Sequence, residues 1–363
     1  MRLIAGAILV VTGAGIIYFG YLGSTSEVWE GDSLAYHIPI ARIVASGRTG
    51  EKGVYTDWLY YYPGVGEAML AVLMKLGVPL NLFNLLGWVV LGAAVVMWGR
   101  QVGMGTYAAT VMGAGVMWWP SVVRLVLTQT VDIWLAAFWM LAVIWLEKKK
   151  TDWKYWAVLG IWLGALLGVK YSGPLFLGVL GVFYWRRLWE GRRWWGVMAA
   201  MIILVGGSWY FRNWAWTGNW IYPAGEAGFR LLEWKAGEIV VKLPGKFIEA
   251  VVSEYLIWPI LGMAMLRFNK FWWLGVANWA VYMLLPSWPN NVISDLRYAY
   301  PAMLPWMAIV WKWAKDRGKE NLWTVLALAM VVVEWAQLDY RPKLFAGVLM
   351  GLWLLGLKNW RRL

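Results

Sequence analysis

The chain has 363 residues, of which 61% are hydrophobic and 15% charged, and it contains 33 Trp but no Cys. Soluble domains carry about 25% charged residues, so this composition excludes an ordinary soluble domain and indicates a polytopic membrane protein. The lack of Cys excludes disulfides and thiolate metal sites. A net charge of +13 would suggest a nucleic-acid partner in a soluble protein, so its distribution along the chain decides its meaning.

About twelve apolar segments are predicted to be membrane-spanning helices. Several are shorter than the roughly 20 residues that a helix needs to cross the hydrocarbon, and we expect flanking Trp, Tyr, Lys and Arg residues to extend them into the interfaces. We interpret the first segment as an uncleaved span, because no small-residue cleavage site precedes Trp29. The predicted spans are Leu3–Tyr21, Leu80–Trp98, Gly105–Trp119, Val131–Leu146, Tyr155–Val169, Gly173–Trp185, Trp194–Tyr210, Phe247–Leu266, Phe271–Leu285, Tyr300–Trp311, Leu322–Trp335 and Leu344–Leu357.

The charges of the loops predict how these spans are oriented. With the N-terminus in the cytoplasm, the cytoplasmic segments contain most of the Lys and Arg residues and few Asp and Glu residues. Every strongly basic cluster, such as Lys148-Lys149-Lys150, then lies inside, as the positive-inside rule requires. We therefore predict a multi-pass protein of the cell membrane with both termini in the cytoplasm. The basic balance reflects this topology, and we expect no nucleic-acid partner.

Residues 24–79 are predicted to form a structured outer loop. Within it, Ser33–Val44 starts with polar residues and is followed by Gly47, which is typical of the two ends of a helix. Pro63–Leu76 opens with Pro and also has an amphipathic pattern, so we interpret both segments as helices lying in the outer interface. A second outer segment, residues 217–246, is long and mixed in charge. No internal repeat or linker is visible, so the whole chain (residues 1–363) is predicted to be one domain.

The first outer loop concentrates groups that can do chemistry. It contains Glu30, Asp32, Tyr36 and His37, the only histidine of the chain. Asp32 is either the working carboxylate of an active site or the N-cap of the helix that follows, and the two roles are compatible. His37 is either a catalytic base or a residue that orients the loop by hydrogen bonds. Glu30 is a candidate helper or metal ligand, although a lone His without Cys argues against a histidine metal site.

More polar residues lie at the outer ends of later spans. Charges at such positions are costly unless they face a cavity or a partner, although Asp132 also fits a helix cap and the cations fit snorkelling to the interface. Cations suit a phosphate leaving group, and a nearby carboxylate suits proton removal from an incoming hydroxyl, which together are what sugar transfer from a lipid phosphate requires. The residues are Asp132, Lys170, Tyr171, Arg212, Asn213, Asn219, Arg297 and Tyr298.

In these segments the chain resembles the GT-C superfamily of membrane glycosyltransferases, in particular family-39-type enzymes related to protein O-mannosyltransferases and the aminoarabinose transferase of lipid A. The resemblance covers roughly residues 1–310 in consistent order. The motifs that carry it are Gly31-Asp32-Ser33-Leu34-Ala35-Tyr36-His37-Ile38-Pro39, Tyr62-Pro63-Gly64, Gln129-Thr130-Val131-Asp132, Gly168-Val169-Lys170-Tyr171, the run from Arg212-Asn213 through Asn219 to Tyr222-Pro223, and Arg297-Tyr298 with Pro301.

The resemblance implies an all-α GT-C fold and a polyprenyl-phosphate sugar donor that reaches the site from the outer leaflet. It implies Asp32 as the base, Asp132 as a positioning partner and inversion at the anomeric carbon. Lys170, Arg212 and Arg297 would bind the phosphate. Glu30 precedes the loop aspartate where the protein mannosyltransferases have a second acid directly after it. The acceptor (glycan, lipid or protein) and any use of a divalent metal therefore stay open.

Two other classes of protein also place charges among spans. A secondary transporter or lipid flippase is the main alternative, and a non-catalytic assembly partner with the same scaffold is another. Transporters tend to show repeated halves and broken helices with sites near the membrane midplane. Here the polar groups lie at outer span ends beside a long loop, and no repeat is visible. The pattern therefore favours a glycosyltransferase with its site on the outer face.

Overall fold

The computed structural model describes residues 2–150, 152–226, 232–233, 235–256, 258–266, 269–286, 295–319 and 324. These residues form helices joined by turns, and no β-strand occurs among them, so the predicted all-helical class is confirmed for this part of the chain. The α-helices are α1 (Arg2–Thr25), α2 (Ile38–Ala45), α3 (Val65–Lys75), α4 (Phe83–Gln101), α5 (Thr106–Met117), α6 (Pro120–Val123), α7 (Asp132–Glu147), α8 (Trp153–Val169), α9 (Gly173–Phe183), α10 (Trp185–Glu190), α11 (Trp195–Ile202), α12 (Ser208–Thr217), α13 (Lys235–Lys242), α14 (Pro244–Tyr255), α15 (Trp258–Ala264), α16 (Lys270–Leu284) and α17 (Tyr300–Asp316). Single turns of 3-10 helix lie at Lys52–Val54, Trp58–Tyr61, Leu80–Leu82, Arg192–Trp194 and Leu296–Ala299, and π-helical turns at Ser33–His37 and Ile203–Gly207.

Three helical stretches of the described chain are long and apolar enough to cross a membrane. They are Gly6–Thr25, Leu80–Gln101 and Arg192–Thr217, and each coincides with a predicted span. The helices Trp153–Val169 and Gly173–Phe183 are apolar but shorter. The described part of the chain is therefore all-helical and contains stretches suited to crossing a membrane. The predicted spans Leu322–Trp335 and Leu344–Leu357 lie outside the described residues, apart from Thr324.

One predicted span, Phe247–Leu266, is two helices instead of one. α14 ends at Tyr255, and Leu256 then takes a positive φ of 60° before α15 begins at Trp258. Pro259 has no backbone N–H to donate to Tyr255, so it fits the first turn of a new helix and not the interior of a continuous one. The chain therefore breaks and restarts where a continuous helix was expected.

α7 forms the centre of the helical body. It is buried along nearly its whole length, and it packs against α4 and α8, while α4 also packs against α5. A helix that is apolar on every side is a core helix of a large protein or a membrane span. Its first residue is Asp132, so this core helix delivers a buried carboxylate to one end of the body.

Small residues bring α8 unusually close to the helical stretch that contains α11. Gly160, Gly164 and Gly168 recur every four residues on one face of α8, and α11 and the following π-helical turn pack on that face. A Cβ added at Gly206 would overlap the backbone carbonyl oxygen of Gly164. Such stripes allow helix backbones to touch in membranes. Lys170 follows α8 after Val169, so this contact fixes the position of Lys170.

The first outer loop contains two helices where two were predicted. The π-helical turn Ser33–His37 leads into α2, and α3 occupies Val65–Lys75 and packs against α2. Their placement in a membrane interface stays a prediction. The loop therefore has a folded structure. Its charged residues lie next to Asp132, at the start of α7, and Lys170, which follows the end of α8.

Candidate functional site

Four charged side chains from distant parts of the chain form one ion-pair cluster. Arg297 Nη2 donates to Asp32 Oδ2 at 2.9 Å, across 265 positions of sequence. Lys170 Nζ donates to Asp132 Oδ1 at 2.6 Å, and Arg297 Nε lies 3.5 Å from Asp132 Oδ2. Asp132 thus binds both cations, and the formal charges of the cluster cancel. The first loop, α7, the end of α8 and the turn before α17 all meet at this point.

Glu30 explains why the Asp32 carboxylate is available to the cluster. The Glu30 carboxylate accepts hydrogen bonds from the backbone N–H groups of Asp32 (3.1 Å) and Ser33 (2.7 Å), and from the Ser33 hydroxyl (2.6 Å). These are the bonds that an N-cap side chain makes. Asp32 makes no capping hydrogen bond with its own side chain. Glu30 therefore takes the capping role considered for Asp32.

A buried polar network holds the turn in front of Asp132. The backbone N–H of Gln129 donates to the Ser33 hydroxyl at 3.0 Å, which joins this turn to the first loop. The Asn84 side-chain amide donates to the Thr130 carbonyl at 2.8 Å and to the Leu125 carbonyl at 3.1 Å. Buried amide groups satisfied in this way rigidify the chain around them. The position of Asp132 is therefore set by α4 and the first loop together.

A cavity of about 340 Å³ opens beside the cluster. The Asp32 side chain is 41% exposed and that of Lys170 24%, whereas those of Arg297 and Asp132 are 11% and 2% exposed. Asp32 and Lys170 therefore present charge to the cavity, and the other two lie behind them. Its wall consists of Asp32, Ala35, Tyr36, Leu59, Tyr62, Pro63, Glu67, Val131, Val169, Lys170, Tyr171, Ser172, Leu285, Pro286, Asp295 and Tyr298.

Tyrosine rings form much of the cavity wall. The Tyr36 and Tyr62 centroids are 5.4 Å apart, and those of Tyr62 and Tyr171 are 5.2 Å apart, both edge to face. Lys170 Nζ lies 3.8 Å from the Tyr298 ring centroid. Burial, reinforced by the Asp32 charge, raises the pKa of Tyr36 well above its usual value, and burial also raises the pKa of Tyr62. These hydroxyls are therefore neutral, and the rings offer flat apolar faces.

Arg297 keeps its charge although it is largely buried. Burial alone would lower the pKa of its guanidinium, but Asp132, Tyr298 and Asp32 together raise it. Its Nη2 also lies 3.2 Å from the Tyr298 hydroxyl. The permanent cation orients Asp32 from behind the cavity wall.

His37 is held by a residue that the sequence did not single out. Its Nδ1 lies 2.6 Å from Oε1 of Glu67, and both side chains are almost fully buried. Glu67 lines the cavity and His37 does not. In the described part of the chain, Glu67 Oε2 has no hydrogen-bond partner. An acidic residue in the first turn of a helix is common, so nothing in the local sequence marked Glu67 as a site residue.

Arg212 belongs to a second polar cluster outside the cavity wall. Its Nη2 donates to the Tyr61 carbonyl (2.9 Å) and to Asn213 Oδ1 (2.7 Å), and its guanidinium lies about 5 Å from the rings of Tyr55 and Trp209. Aromatic rings therefore surround the cation. The resemblance had implied that Arg212, Lys170 and Arg297 bind one phosphate together. The structure instead places Arg212 apart from the other two.

The remaining predicted residues of this region support the backbone. The Asn213 amide donates to the Tyr61 carbonyl (2.9 Å) and to the Tyr171 hydroxyl (3.1 Å), so it connects this second cluster to the cavity wall. The Asn219 amide donates to the Ala224 carbonyl at 2.9 Å, and its Oδ1 accepts from the Ile221 N–H. Asn219 thus stabilises a turn and does not line the cavity.

The described residues contain no group of three or more His, Asp or Glu side chains arranged to hold a metal ion. The arrangement instead offers the carboxylates of Asp32, Glu67 and Asp295, the ammonium group of Lys170 and aromatic faces in one cavity. Comparison of the chain with protein-family models, with curated proteins and with solved structures found no match.

Proposed function

We propose that the protein is a membrane glycosyltransferase of the GT-C type, with about twelve spans and its site on the outer face. It would transfer a sugar from a polyprenyl-phosphate donor to an acceptor glycan, lipid or protein. The observation that carries this proposal is the placement of Asp32 and Lys170 in the wall of one cavity. A base for the acceptor hydroxyl and a cation for the phosphate are the two groups that the reaction needs.

Asp32 is the proposed general base. Among the described residues its Oδ2 is hydrogen-bonded to Arg297, and no hydrogen bond engages its Oδ1. The Asp32 side chain is 41% exposed, so its Oδ1 can accept the proton of an acceptor hydroxyl while Arg297 holds the carboxylate in place. The acceptor oxygen attacks the anomeric carbon, the bond from that carbon to the phosphate oxygen breaks, and the electron pair leaves with the phosphate.

Lys170 is the proposed partner of the leaving phosphate. An ammonium group has three N–H donors, and one of them points to Asp132. The others remain for phosphate oxygens at the cavity. Arg297 is more buried and already binds both carboxylates, so we assign it to positioning Asp32 and Asp132 instead of gripping the phosphate. Tyr36, Tyr62 and Tyr298 supply faces for a sugar ring, and the apolar wall suits the start of a prenyl chain.

The test is turnover of a lipid-linked sugar. Purified protein in liposomes is given a panel of undecaprenyl-phosphate hexoses and pentoses with a membrane extract as acceptor, and release of undecaprenyl phosphate is measured by mass spectrometry. Asp32→Asn should lower kcat at least about a hundredfold, because a general base contributes that much, and should leave donor binding intact. Lys170→Gln should instead act mainly on the donor KM.

Glu51→Gln is the matched control, because Glu51 is a carboxylate of the same loop that pairs with Arg48 and lies outside the cavity wall. It should turn over donor at the wild-type rate. Turnover by Asp32→Asn near the wild-type rate would exclude Asp32 as the base. If the wild-type protein consumes no member of the panel but moves undecaprenyl phosphate between leaflets, the transporter or flippase alternative replaces the proposal.

A further inference from the structure

A second cavity lies at the far ends of α4 and α7, opposite the end that carries Asp132. It is an open cavity of about 660 Å³, lined by Val96, Met97, Arg100, Gln101, Ile144, Glu147, Lys148, Lys149 and Lys150. Gln101 Nε2 donates to the Ile144 carbonyl at 3.3 Å, which holds the two helix ends together beside it. The proposed sugar-transfer site uses none of these residues.

The cavity carries positive charge that its own residues do not neutralise. Glu147, its one carboxylate, is already bound by Lys270 Nζ at 2.8 Å and by the Tyr184 hydroxyl at 2.7 Å. Within the described chain, no carboxylate pairs with Arg100 or with the three lysines that line the cavity. Burial, and after it the positive charge of the neighbouring Lys150, lowers the pKa of Lys148.

The floor of the cavity is apolar and lies at the end of a stretch that is able to cross a membrane. Val96 and Met97 lie on α4 and Ile144 on α7, and Met97 is 42% exposed. α4 is part of Leu80–Gln101, which is long and apolar enough to cross a bilayer, and the cavity lies at the last residues of that stretch. With that stretch across a bilayer, a site at its end would lie at the depth of the lipid phosphates, with hydrocarbon directly beneath it.

We propose that this cavity binds one anionic phospholipid. Arg100 and the three lysines would hold the headgroup phosphate, and one acyl chain would lie along Val96 and Met97. Clusters of basic residues at a span end are expected from topology alone. A pocket between helices that combines such a cluster with an apolar floor is instead the arrangement that recognises an acidic lipid. The inference does not depend on the proposed sugar transfer.

The test is native mass spectrometry of the full-length protein in detergent, with phosphatidylglycerol and phosphatidylcholine of identical acyl chains and with inorganic phosphate. We expect the wild-type protein to retain one phosphatidylglycerol and little of the other two probes. The triple variant Lys148→Gln, Lys149→Gln, Lys150→Gln should bind phosphatidylglycerol about a hundredfold more weakly, since three surface cations are lost. Met97→Trp, which fills the floor and keeps every charge, should also weaken binding.

Arg186→Gln with Arg192→Gln is the matched control. It removes two cations that lie over surface tryptophans of another basic segment, beside the stretch Arg192–Thr217. This variant should bind phosphatidylglycerol like the wild-type protein. Equal retention of both phospholipids, wild-type binding by the triple variant, or equal loss in the control would each overturn the proposal. Binding of inorganic phosphate as tightly as phosphatidylglycerol would exclude a lipid site.

Discussion

Asp132 is the residue on which the charge balance of the cavity depends. It is almost fully buried and binds both Lys170 and Arg297. Removing one partner of a buried pair is costly because the other charge is left without compensation, whereas removing both is much milder. Asp132→Asn should therefore destabilise the protein by about 3 kcal/mol, measured as the loss in free energy of unfolding in detergent.

The double variant Asp132→Asn, Lys170→Met provides the control for this prediction. It removes the cation that the single variant strands, while Arg297 keeps its hydrogen bond to Asp32. Its unfolding free energy should recover part of the loss. If the effects of the two substitutions simply add, the pair is not coupled in the way the geometry indicates.

The sequence identified most of these charged residues but not their pairing. Asp32, Asp132, Lys170 and Arg297 were marked by their position at apolar segment ends and by the resemblance. Local rules also allowed Asp32 to be a helix cap, because Asp is a favoured cap residue. The structure gives that role to Glu30, since Arg297 binds Asp32 from 265 positions away. A contact of such range leaves no trace in local sequence.

The close contact between α8 and the stretch after α11 leads to a prediction about Gly206. A Cβ at this position would overlap the Gly164 carbonyl, and backbone on both sides leaves it no room. Gly206→Ala should therefore destabilise the protein by about 2 kcal/mol, a typical cost of overpacking. Because Lys170 follows α8, the same substitution should also weaken donor binding, which the donor assay would show as a raised KM.

Gly178→Ala is the matched control for Gly206→Ala. Gly178 lies in the apolar helix α9, and a Cβ there would meet nothing within 4 Å. Ala is the better helix former, so the melting temperature should stay the same or rise slightly. A similar loss of stability in both variants would show that the cost of Gly206→Ala does not come from its contact with α8.

Helix punctuation predicted the elements of the first loop well and the irregular elements poorly. The sequence signals were polar residues at a helix start, together with Pro63 and Gly47. They predicted two helices that lie within a few residues of the observed α2 and α3. The π-helical turn at Ser33–His37 and the break at Leu256 carry no such pattern. Both depend on what the segment packs against, which periodicity does not report.

The orientation of the whole molecule can be tested by labelling, because the native chain has no Cys. Ser46 and Glu190 are both exposed, and the predicted topology places them on opposite faces of the membrane. A cysteine at Ser46 should react with an impermeant maleimide added outside intact cells, and one at Glu190 should react only after permeabilisation. The reverse labelling pattern would invert the predicted topology.

Alternation of the predicted spans placed the candidate site residues on one side, and the structure brings four of them into one ion-pair cluster. The sequence did not separate Arg212 from this group, because Arg212 also lies near the outer end of a predicted span. What separates it is the aromatic enclosure formed by Tyr55, Trp209 and their neighbours, which come from two different segments. The order of spans along the chain thus predicts on which side of the membrane a residue lies. Whether it also lines the cavity depends on how the helices pack side by side.

The unequal lengths of α4 and α7 set the depth of the proposed site. The two helices run side by side, since Asn84 contacts Thr130 at one end and Gln101 contacts Ile144 at the other. The apolar stretch ending in α4 has 22 residues and α7 has 16, a difference of about 9 Å of rise. The start of α7 at Asp132 is therefore recessed along the helix direction relative to Leu80. The proposed lipid-linked donor would then reach the cavity from the side, with its prenyl chain still in the hydrocarbon.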